Sequence, residues 1–119
     1  LTVCLDNILR HAGITRNTEY DLAQGKTAIQ ILEENMTGVQ VLDLSGCSLD
    51  AVLYYVNQDI PVLAILEDGE AVLVTGFNEF NVVIMEPSTG KLYKKGMNDA
   101  TTWFAENGNH FISYMKIDN

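Results

Sequence analysis

Apolar residues follow a helical rhythm in the first part of the chain and fall into continuous runs in the later part. Leu1, Leu5, Ile8, Leu9 and Ala12 share one helical face, with Asp6 and Arg10 turned outward, so residues 1–12 read as an amphipathic helix stopped by Gly13. A shorter helix is expected over 19–24, ended by Gly25. Thr27 is placed to cap a third, carrying Ile29, Ile31, Leu32 and Met36 and closed by Gly38. Residues 39–44 read as a strand. Ser48 then opens a helix with Leu49, Val52, Leu53 and Val56 inward and Asp50 at its positive end.

After Pro61 the rhythm changes. Residues 61–66 are an unbroken apolar run bounded by Asp68-Gly69. Residues 71–77 form a second run before Asn78-Glu79, and 81–85 a third, ended by Pro87-Ser88-Thr89-Gly90. Residues 91–94 make a short fourth. Runs this close, joined by turn residues, predict antiparallel hairpins. Asn98 is expected to cap a helix through Glu106, with Ala100, Trp103 and Phe104 on one side, before a last strand over 110–117. Helices first and strands later predict an α+β domain, with helices packed on one face of an antiparallel sheet.

Composition narrows the function. A chain of 119 residues, 47% hydrophobic, is sized for one packed domain spanning 1–119. It starts at Leu1 with no signal pattern and reads as a piece of a longer polypeptide, so the compartment stays open, the cell surface included. Sixteen acidic against seven basic residues give a net charge of −9, and no basic stripe stands out, which argues against nucleic acid. No apolar run approaches the ~20 residues of a membrane span, so no membrane insertion is expected. Cys4 and Cys47 form no CxxC, and His11 and His110 lie far apart, so neither a metal nor a cofactor is expected. Whether the two cysteines form a disulfide is left open, as is the oligomeric state.

The stretch from Ile60-Pro61 through Asp68-Gly69-Glu70, Val74-Thr75-Gly76-Phe77 and Met85-Glu86-Pro87-Ser88-Thr89-Gly90 resembles the papain-like, bacteriocin-processing (double-glycine) cysteine peptidases. In that family an apolar strand leads to a Gly-His pair, the next strand ends in Thr-Gly-Tyr or Thr-Gly-Phe, and the following one ends in Asp-Pro. Asn98-Asp99-Ala100 with Trp103-Phe104 is similar to the family's closing helix, Phe111-Ile112 to its last strand, and residues 5–13 to its nucleophile helix. The resemblance implies a papain-like α+β fold and, in an active member, a cysteine thiolate, a histidine base and an acidic or amide orienter.

Here the family's histidine position holds Glu70 and the orienter position holds Glu86. Aligned on Leu5 and Gly13, the family cysteine falls just before Leu1, and Cys4 lies one turn later on the same face. A carboxylate beside a thiol opposes thiolate formation and serves poorly as the acid for an amine leaving group. The expectation is a catalytically degenerate module that binds a peptide or orders other domains of its parent protein. A bound peptide would run along the former cleft past Cys4, Glu70 and Glu86 and would be basic. The alternatives are an active cysteine hydrolase using Cys4, with His110 as the strand histidine, and a structural spacer without ligand. Plainer readings make Cys4 a buried helix residue, Cys47 a thiol beside a helix cap, His11 and His110 surface side chains, and Glu70 and Glu86 turn residues.

Overall fold

The computed structural model describes residues 1–117. The chain runs α1 (Thr2–His11), α2 (Glu19–Ala23), α3 (Ala28–Asn35), β1 (Val39–Asp43), α4 (Leu49–Val56), β2 (Val62–Ile65), β3 (Ala71–Phe77), β4 (Asn81–Glu86), β5 (Lys91–Gly96), α5 (Met97–Glu106) and β6 (His110–Lys116). Side-chain caps set two of the helix starts. Thr27 and Gln30 form a reciprocal capping box at the start of α3. The Ser48 hydroxyl accepts from the Ala51 amide, 3.3 Å away, at the start of α4. The cap expected from Asn98 is not there: α5 begins two residues earlier, at Met97 behind Gly96, with no side-chain cap.

One six-stranded sheet has the order β1-β6-β2-β3-β4-β5, every neighbour antiparallel. The hairpins β2–β3 and β3–β4 are those read from the apolar runs, with Leu63 opposite Leu73 and Val74 opposite Ile84. Gly69, in the β2–β3 turn, takes φ +86°, a left-handed conformation that costs glycine little. A bulge between Val74 and Gly76 shifts the β3–β4 register.

Helices cover both faces of the sheet, not the one face expected. On the first, Cys4, Leu5, Ile8 and Leu9 of α1 and Ala28, Ile31 and Leu32 of α3 pack with Leu63, Ala71, Leu73, Met85, Ile112 and Tyr114. On the second, Leu49, Val52, Leu53 and Val56 of α4 and Ala100 and Phe104 of α5 pack with Val62, Ala64, Val72, Val74, Val82, Ile84 and Phe111. The unbroken apolar runs have this cause: a strand covered on both sides needs no polar alternation. Phe104 and Phe111 meet edge to face at 5.3 Å, tying α5 to the sheet.

Candidate functional site

The side chains singled out in the sequence come together only in part. Cys4 stands in the first turns of α1, fully buried in the core of the first face. Burial pushes its thiol up to about 11, and the charge of Glu86 pushes it further up. This is the reverse of a nucleophile's environment, which lowers a thiol's pKa.

Glu86 ends β4 opposite Lys91 of β5 and is half-buried. Its Oε1 accepts from both the amide and the hydroxyl of Ser88, at 3.2 and 2.9 Å, so the carboxylate is turned into the β4–β5 turn. Glu70 is exposed in the β2–β3 turn, where its amide donates to Asp68 Oδ1 (2.9 Å) and its carbonyl accepts from the Leu66 amide (2.7 Å). Of the two carboxylates, Glu86 is the one whose charge reaches Cys4. It also reaches Tyr93 of β5, whose hydroxyl burial and then Glu86 push above its ordinary range. Tyr93 went unnoticed in the sequence, where nothing ties a residue in a short exposed strand to the end of its neighbour.

His110 does not join this group. It opens β6 opposite Ile65, which on its other side pairs with Ala71. That places His110 two strand spacings, about 10 Å, from the start of β3. It lines a cavity of about 630 Å3 with Asp43, Glu67 and Ile112, and its charge helps to lower the Asp43 carboxyl, after hydrogen bonds from Ser45. Cys47 packs against the core of the second face, with the sheet between it and Cys4, and both cysteines are free thiols.

Another cluster had no sequence signal at all. His11 Nε2 lies 2.8 Å from the carbonyl of Asp59, 48 positions away, and 3.9 Å from its carboxylate. Asp59 takes φ +62°, and with His11, Tyr114 and Lys116 it lines a cavity of about 640 Å3. A third cavity, of about 570 Å3, lies between α4 and β6 beside Tyr54 and Met115. None of the three is lined by Cys4, Glu70 or Glu86. The Asp6 carboxylate, read as outward, accepts from the Thr18 amide and hydroxyl at 2.9 and 2.8 Å and pins α2 to α1.

Among the described residues, no His, Cys, Asp and Glu side chains group to hold a metal ion, and no helix is long and apolar enough to cross a membrane.

No family model matches the chain, and no curated protein does. Among solved structures the chain is similar to a candidate C39-like peptidase from Bacillus anthracis, with a TM-score of 0.66 and 18% identity. The match covers 77% of this chain and 58% of that one, so this chain spans little more than half of that protein's length. At this identity the likeness carries the architecture alone: helices packed on an antiparallel sheet in the manner of a C39-like peptidase.

Proposed function

We propose that this chain is a catalytically degenerate C39-like peptidase module that binds a basic, extended peptide or a neighbouring segment of its parent protein at the former active-site end of the sheet. The single observation that carries this reading is the state of Cys4: buried, its thiol raised to about 11 by that burial, with the Glu86 carboxylate adding to the rise. A thiol peptidase needs the opposite balance, a thiolate stabilised by imidazolium and helix dipole. The position where the family carries its base holds the exposed Glu70, and His110 stands two strands away. What remains there is a carboxylate held by Ser88, beside the acidic turn Glu67-Asp68-Gly69-Glu70, which favours lysine or arginine over acidic side chains.

Two measurements test it. A thiol-directed, peptide-based activity probe should leave the chain unlabelled at neutral pH. A peptide array should show retention of basic sequences that weakens in Glu86→Gln. Probe labelling abolished by Cys4→Ser would sink the degenerate reading, and an array with no preference for basic peptides would sink the binding role.

A further inference from the structure

The sheet ends on one side at β5, and β5 gathers positive charge in an otherwise acidic molecule. Lys91, Lys94 and Lys95 supply three of the seven basic residues in a chain of net charge −9. No basic stripe stands out in the sequence, but these three lysines share one short strand. Among the described residues β5 pairs with β4 alone, so its outer edge carries backbone amides and carbonyls with no partner strand. Between the lysines lie two apolar side chains, Leu92 at 62% and Tyr93 at 38% exposure.

Register fixes how these side chains are presented. Lys91, Tyr93 and Lys95 stand opposite Glu86, Ile84 and Val82 and share the face that α4 and α5 cover. Leu92 and Lys94 stand opposite Met85 and Val83, on the α1 face. Lys95 is held over the Trp103 ring, 4.8 Å from its centroid, which draws that ammonium toward α5, so Lys91 and Lys94 are the freer of the three.

We propose that β5 is a docking edge for an acidic extended segment, which adds to the sheet as a seventh strand. Main-chain hydrogen bonds along the edge supply affinity, and the lysines select acidic side chains. A second copy is a poor occupant, because antiparallel β5–β5 pairing sets lysines against lysines. Lysines alone are a common way to keep an edge from pairing. A purely protective edge, however, has no use for the exposed Leu92 and Tyr93 between them. The partner follows residue by residue. An antiparallel strand facing Lys95, Lys94, Tyr93, Leu92 and Lys91 in turn is complementary when it reads Glu-Glu-Val-Val-Glu. Lys91 stands opposite Glu86, so the two surfaces meet at that end of β5; Lys94, on the other face, tests this edge apart from the degenerate-peptidase reading.

The test is a titration of the whole 15N-labelled chain with the capped heptapeptide Thr-Glu-Glu-Val-Val-Glu-Thr. Saturable amide shifts confined to β5 and adjoining β4, with slowed exchange of the outer β5 amides, are the expected result. Affinity should fall about tenfold or more as added salt screens the lysines, and by a similar factor in Lys94→Glu, an exposed position whose melting temperature is checked in parallel. Four results overturn the proposal: no saturable shift, shifts centred elsewhere, equal binding of the peptide with lysine in place of glutamate, or dimerisation through β5 in place of peptide binding.

Discussion

Alkylation of Cys4 probes the electrostatics of the candidate site most directly. Cys47 is first replaced by serine, so that Cys4 is the one thiol left. An ordinary thiol titrates at 9.0 and Cys4 at about 11, so at pH 7 its thiolate is about a hundredfold scarcer. Burial slows attack further, since the sulfur must be exposed before iodoacetamide reaches it. The rate should rise about tenfold per pH unit from 7 to beyond 10, with no plateau in that range. The same shift has a stability consequence. A thiol whose pKa is raised by folding favours the folded state fully below the unfolded value near 9. That advantage is lost as pH climbs from 9 to 11, by roughly 3 kcal/mol for two pKa units. Chemical denaturation across that range, compared between the parent and Cys4→Ala, isolates the thiol from Tyr93 and Tyr114, whose hydroxyls are also raised. A labelling rate that levels off below about pH 6 is the behaviour of a paired thiolate and would refute the reasoning outright.

Further outcomes rest on the same structure. Glu86→Gln should speed Cys4 labelling slightly, since burial outweighs the carboxylate, and Glu70→Gln should leave it unchanged; equal effects would mean that both charges reach the thiol. Glu70→His should not produce peptide hydrolysis in a fluorogenic assay, because Cys4 stays buried. Leu53→Ala, in the core of the second face, should cost about 2–5 kcal/mol in urea denaturation, and Thr27→Ala, which removes the α3 capping box, about 1 kcal/mol. Arg16 donates to both oxygens of Asp21 at 2.9 and 3.0 Å, and this pairing holds the Asp21 carboxyl below its usual range. The pair therefore stabilises above the ordinary carboxylate pKa, and its effect is lost as pH falls through the lowered one. Asp21→Asn should flatten that acid limb of the melting curve, and an unchanged limb would count against the pair.

Much of the fold was legible because its causes are local. The Thr27 and Ser48 caps act within four residues, and the Asp68-Gly69 and Asn78-Glu79 turns within two, so the elements they bound could be read off the chain. Leu9, Leu53 and Phe104, on the apolar helix faces, and Val72, Val74 and Ile84, within the apolar runs, are all buried. The site was legible only as a set of positions. Resemblance singled out Glu70 and Glu86 as candidates, but the turn geometry that leaves Glu70 exposed and ties Glu86 to Ser88 arises only in the folded chain.

By itself, then, the sequence determined the kind and order of elements, the hairpin neighbours and the residues able to leave water. Periodicity and turn chemistry are short-range and survive in one dimension. Only the tertiary structure decided that β6 lies between β1 and β2, that helices cover both faces, that Cys4 is sealed in a core, and that His11 meets Asp59. Each of these joins segments tens of residues apart. Their pairing depends on how whole apolar surfaces fit together, and a thiol's pKa on the burial that results.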